Sequence, residues 1–209
     1  MRMAPARRGA GITIDSQEVA TMALISSVDA EREAVRLVAQ LMAAAARTAP
    51  KARGVDSIRT LVVDGEGLNR LAAAMEAKVD EKARRMPLFA RDAGNVRRSA
   101  AVLLLGVSGE PKKPEDPLNC GACGYGSCAE FMREERREGE DFRGPLCAFQ
   151  LMDLGIALGS AAKMAGELNV DNRMMYTIGA AARKLGLLDS DVVIGFPLSV
   201  SGKSPYFDR

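Results

Sequence analysis

The run AAVLLLGV, Ala100 to Val107, contains no polar residue. A strand with one wet face alternates apolar and polar side chains, so this one is read as covered on both faces. That requires at least two layers of other structure around it, and helices packed on a sheet supply them most economically. With 209 residues the chain can bury such a core without disulfide staples.

The flanking periodicities provide the layers. Val35, Val38, Met42 and Ala45 recur at helical spacing among Glu31, Arg32, Glu33 and Arg36, predicting a helix that stops near Pro50. IRTLVV (Ile58 to Val63) is rich in β-branched residues and ends at Asp64-Gly65, as a short strand does. Leu68, Leu71, Ala72, Met75 and Val79 outline a second helix reaching roughly Arg85, with Pro87 as its stop. Later, Leu151, Leu154, Leu158, Ala161, Ala165 and Leu168 share a helical face, and Gly155 and Gly159 leave that helix a flat strip. A further helix is expected from Asp171 as N-cap, turning Met174, Ile178, Ala181, Ala182 and Leu185 inward and ending at Gly186. DVVIGFPLS (Asp191 to Ser199) reads as a last strand.

Between the apolar strand and the late helices the composition changes abruptly. SGEPKKPEDP (Ser108 to Pro117) carries three prolines and five charges, the signature of a linker. LNCGACGYGSCAEF follows, with Cys120, Cys123 and Cys128 at spacing C-x2-C-x4-C and Cys147 after a longer excursion. Three close sulfurs and one remote one suit a cubane iron–sulfur cluster, whose corners are reached from several directions. Gly121, Ala122, Gly124, Gly126 and Ser127 keep the loop thin, so that backbone N–H groups can turn towards the sulfurs. Cys128 is expected to open a helix, CAEFMREERREGE, whose N-terminal dipole favours a thiolate. A four-cysteine zinc site, two disulfides and a C-x-x-C thiol pair are the alternatives. The first lacks a second close pair, the second suits a secreted chain, and the third leaves Cys128 and Cys147 unused.

Composition narrows the chemistry further. The chain has no His, which removes every mechanism and metal site that depends on imidazole. A formal net charge of +2, with six Phe, three Tyr and no Trp, leaves neither a broad basic field nor stacking platforms, so nucleic acid is not an expected partner. Arg2, Arg7 and Arg8 precede no apolar stretch of signal-peptide length, and no run is long enough to span a bilayer. A reducing, cytoplasmic setting without a membrane partner is the expectation.

NCGACGYGSCAEF together with Cys147 resembles the small four-cysteine 4Fe-4S domain of Rnf-type electron-transport subunits and corrinoid iron–sulfur proteins. DLGIALGSAAKMAGELNVDNRMMYTIGAAARKLGLL and GFPLSVSGKSPYFDR resemble a family of uncharacterised ferredoxin-domain proteins from anaerobic bacteria and archaea. The stretches AARTAPKARGVDSIRTLVV and AAARKLGLLDSDVVIGFP are similar to parts of nitroreductase-like flavoproteins, which are α+β sandwiches and homodimers with FMN at the subunit interface. These resemblances imply an α+β, nitroreductase-like sandwich over 1–107 and 148–209, with a 4Fe-4S module inserted at 108–147. They imply Cys120, Cys123, Cys128 and Cys147 as cluster ligands. FMN is implied as a second cofactor, with Pro50, Lys51, Arg53 and Gly54 near the flavin ring and Lys203 and Arg209 as phosphate partners. A homodimer is implied as well. Three functions stay open: an oxidoreductase relaying electrons through a [4Fe-4S] cluster to FMN, a non-enzymatic electron carrier or cluster-bearing binding module, and a structural zinc protein. The redox donor and acceptor, protein or small molecule, are not identified by any residue.

Overall fold

A computed structural model describes residues 24–81 and 85–207. Its centre is a four-stranded antiparallel sheet in the order β1-β2-β6-β5, where β1 is Ile58–Asp64, β2 Ala101–Val107, β5 Asp171–Asn172 and β6 Val192–Ser199. Strand β2 is the apolar run, and all seven of its residues are buried. Ala101, Leu103, Leu105 and Val107 point to one face, packing with Val35, Val38 and Met42 of α1 (Ser27–Thr48) and Leu154, Ala157 and Ala161 of α5 (Ala148–Glu167). Val102 and Leu104 point to the other, against Leu71 and Met75 of α2 (Glu66–Glu81), Phe89 and Ala93 of α3 (Leu88–Arg97), and Ile178 and Ala181 of α6 (Tyr176–Lys184). A continuous apolar strand is usual in parallel sheets. Here an antiparallel sheet shows the same pattern because helices cover both of its faces.

Helix α6 sits unusually close to the sheet. A Cβ on Gly179 would lie 1.6 Å from the carbonyl oxygen of Val193, and one on Gly195 would lie 2.1 Å from Ile178 Cγ2. Two glycines at the crossing therefore let helix and strand backbones touch, and Met175 and Gly195 exchange hydrogen bonds of 2.8 and 3.1 Å.

Several expectations are corrected at the edges of elements. Asp171 is not a helix cap: it pairs with Ser199 in β5, and α6 begins at Tyr176 with no side-chain cap. Met174 is 48% exposed, and Leu185, at 37%, is the residue that caps the helix after Lys184, with Gly186 following it at φ +65°. In α5 the terminal leucines of the predicted face, Leu151 and Leu168, are exposed, while Gln150 and Asp153 take up buried positions. Helix α2 is described over Glu66–Glu81, with Arg85 not helical, and α3 follows Pro87, where the sequence reading placed no element.

The segment between β2 and α5 is an insertion into this framework. It contains only the short helix α4 (Cys128–Arg133) and a hairpin of β3 (Arg137–Glu138) and β4 (Arg143–Gly144). The long helix expected from Cys128 is thus six residues, and the rest of its sequence turns back into the hairpin.

Candidate metal centre

The inserted segment leaves and rejoins the framework at one point. The Cys147 N–H donates to the Gly109 carbonyl at 2.7 Å, and the Gly109 N–H donates to Asp191 Oδ2, also at 2.7 Å. Arg136 Nη2 stands 2.7 Å from that same carboxylate, as an ion pair rather than an aligned hydrogen bond. Asp191 therefore pins both the neck of the segment and the residue that leads into β3.

Within the segment the cysteine loop is shaped by left-handed backbone. Gly121 has φ +71° and Gly124 φ +88°, a region where side chains are disfavoured, and the Gly124 N–H closes a turn on the Gly121 carbonyl at 2.9 Å around Cys123. Asn119 Oδ1 accepts from the Cys128 N–H at 2.9 Å, tying the two ends of the loop. Ser127 caps α4 by accepting from the Glu130 N–H at 3.1 Å, while the Glu130 carboxylate accepts from the Gly126 N–H at 2.9 Å. Phe131 is buried and meets Tyr125 edge to face, with ring centroids 5.5 Å apart.

All four thiols are free. Cys120, Cys128 and Cys147 border one cleft with about 320 Å3 of empty space, part of it open to solvent, lined also by Ala52, Arg53, Lys112 and Phe149. The structure thus brings the remote Cys147, the residue before α5, to two of the three clustered cysteines. Cys123 is on the same loop but does not line the cleft. Among the described residues no three Cys, Asp or Glu side chains are grouped closely enough to hold a single metal ion. One tetrahedral ion draws its sulfurs to about 2.3 Å, whereas a polynuclear cluster holds its cysteines around a larger body. In donor type, and in the common space onto which Cys120, Cys128 and Cys147 open, three of the four cysteines fit the latter.

The residues expected to contact a flavin are placed as follows. Pro50 to Gly54 connect α1 to β1, with Arg53 at φ 59° and Gly54 at φ +67°. Lys51 is committed to helix α1: its ammonium donates to the carbonyls of Ala46, at 2.7 Å, and Arg47, and lies 3.7 Å from Asp56. Arg53 reaches across to the inserted segment, where its guanidinium donates to the carbonyl and carboxylate of Asp116. Its side chain lines the cysteine cleft. Lys203 is exposed in the tail after β6, where its carbonyl accepts from Ser201 Oγ at 2.7 Å, and Arg209 lies outside the described residues. The cysteine cleft is lined by Arg53 and not by Lys203.

Sequence reading missed a buried polar group behind the cleft. Lys112 donates to Asp153 and to the Val55 carbonyl, and Asp153 accepts from the Ala52 N–H at 2.9 Å; both charged side chains are only 3% exposed. Gln150, one turn earlier on α5, accepts from Ser57 Oγ and donates to the Glu110 carbonyl. The available signal was two polar residues at i and i+3 on the apolar face of a helix.

Three comparisons place this chain among known proteins. Residues 143–209 match the model of a family described as uncharacterised protein containing a ferredoxin domain, a region that includes Cys147 but not the other three cysteines. An uncharacterised protein of Archaeoglobus fulgidus is 50% identical over 186 residues, covering 89% of this chain and 97% of its own. Among solved structures, an oxidoreductase containing FMN superposes with a TM-score of 0.51 at 17% identity, covering 80% of this chain and 68% of its own. A nitroreductase family protein from Clostridium novyi NT gives 0.49 at 17% identity, over 83% and 77%. The fold is nitroreductase-like, and the chain belongs to the family of uncharacterised proteins containing a ferredoxin domain.

Proposed function

We propose that this chain is an iron–sulfur redox protein in which Cys120, Cys123, Cys128 and Cys147 hold a [4Fe-4S] cluster. The observation that carries the reading is the cleft shared by Cys120, Cys128 and Cys147, drawn from two stretches of sequence. Such a cluster, when bound, takes up and returns one electron at a time. The protein's own part is positional. Asn119 and Ser127 fix where Cys128 begins α4, and the Gly109 carbonyl fixes Cys147 at the start of α5. Ala52, Leu118 and Phe149 give the cleft an apolar margin that limits water.

In the fuller form of the proposal the cluster relays electrons to FMN held by the 50–54 loop, as an oxidoreductase. The nitroreductase-like fold supports that form, as does the closeness of Arg53 to the cysteine cleft. A carrier or binding module without flavin is favoured by one observation, the engagement of Lys51 with the C-terminal carbonyls of α1. A homodimer is part of the proposal too, because Leu37 and Leu41 of α1 and Met152 and Ile156 of α5 leave an apolar outer surface. Its measure is a sedimentation mass twice that of the chain.

Protein purified without oxygen tests the reading. We expect a broad absorption near the violet that dithionite bleaches, with iron and sulfide in equal amounts; flavin bands would add the enzyme form. Cys128→Ala should lose the iron. A colourless protein carrying zinc, or a Cys128→Ala variant with undiminished iron and sulfide, would overturn it.

A further inference from the structure

The cleft wall carries two cations, Arg53 and Lys112, and among the described residues no carboxylate lines it. The cations differ in kind. Arg53 is paired with Asp116, whose side chain is 76% exposed, so water screens that pair. Lys112 and its partner Asp153 are both buried, and Asp153 stands behind the wall rather than in it. The cationic member of this buried pair thus belongs to a residue of the cleft wall, and its anionic partner to a residue outside it.

We propose that Lys112 tunes the cysteine site electrostatically: its ammonium favours the more negative, reduced state of a bound group, and Asp153 limits that effect while holding Lys112 in place. This rests on the cluster reading above. Four thiolates around a [4Fe-4S] core make a dianion, and addition of one electron makes a trianion, with no bond broken and no proton required. A fixed cation nearby stabilises the second more than the first, which raises the potential; a fixed anion lowers it. The same pair also joins the cleft to the 50–55 loop, since Lys112 bonds the Val55 carbonyl and Asp153 the Ala52 N–H. Lys112 is thus a positioning residue as well as a charge.

The experiment is a dithionite titration of the full chain, reconstituted without oxygen and followed by absorbance, with iron and sulfide measured in each protein. Lys112→Met should shift the midpoint potential to more negative values, Asp153→Asn to more positive ones, and Lys112→Arg should restore the wild-type value. Where Lys112→Met leaves Asp153 unpaired and unfolds the protein, the double variant Lys112→Gln, Asp153→Asn replaces it. That variant leaves no charge of the pair unpartnered, and it should titrate below wild type because the positive member is the one on the wall. Variants that keep wild-type iron and titrate together with it, or that all shift in one direction, would overturn the proposal. A wild-type protein that takes up no iron and sulfide would instead bring down the cluster reading, and this inference with it.

Discussion

Strand β2 and the cysteine segment after it are neighbours in sequence and opposites in how they are held. Every residue of β2 is buried, and its side chains divide between two apolar clusters that reach all the long helices. From Ser108 to Cys147, Phe131 is the one fully buried apolar side chain among the described residues; Phe142 and Leu146 are partly buried against the framework core, and the rest is secured by caps, turns and ion pairs. Burial of apolar area is the dominant favourable term in folding. The framework is therefore expected to be stable without any cofactor, whereas the segment's geometry depends more on polar contacts, a little apolar packing and whatever its cysteines bind.

That contrast can be broken at either side. The largest effect is expected from Leu104→Ala, which removes a wholly buried side chain from the centre of the sheet. Global stability in denaturant should fall by about 2–5 kcal/mol. Phe131→Ala should be smaller and local: helix α4 should lose amide protection by roughly tenfold or more, while the denaturation midpoint of the framework moves little. A global loss matching that of Leu104→Ala would show the two regions to be a single cooperative unit. The smallest effect concerns the loop between α1 and β1, which reaches the segment through Arg53. Burial alone would raise the carboxyl pKa of Asp56, but the Arg47 hydrogen bond, the Ile58 N–H and the charge of Lys51 outweigh it and hold it below the ordinary range. A carboxyl depressed in the folded state contributes stability above its unfolded value of about 3.8, and the contribution is lost as pH falls through the folded value. Thermal midpoints should therefore drop as pH is lowered below about 4, and Asp56→Asn should remove part of that dependence. An unchanged slope in the variant would remove Asp56 from the joint.

Legibility in the sequence follows the same division. Apolar runs and periodicity located β1, β2, β6, α1, α2 and α5, because burial in those elements is continuous along one face or both and the pattern records it. Gly186 marked a helix end for a local reason, its positive φ. Elements decided by distant partners were not legible. Asp171 and Asn172 become a strand only because Ser199 and Leu198 lie alongside them, and their polar, turn-like composition had suggested a cap. The hairpin Arg137 to Gly144 hid inside a charged run that reads as a helix. At the site, cysteine spacing pointed to the loop, and the fold added that Cys147 meets two of its residues at one cleft. Lys112 looked like one more charge in a solvated linker. Its partner is 41 residues away, and only the fold makes it buried.

The backbone contact between Gly109 and Cys147 has a consequence for how such a chain can change. A stretch whose two ends already touch closes the framework in the same way whatever its contents, and doubling its length would add only about 0.6 kcal/mol of closure entropy. The sulfur-bearing part can therefore be lengthened at its exposed turns while the sheet beneath keeps its register, whereas removing it would strand Asp153, whose buried partner Lys112 it carries.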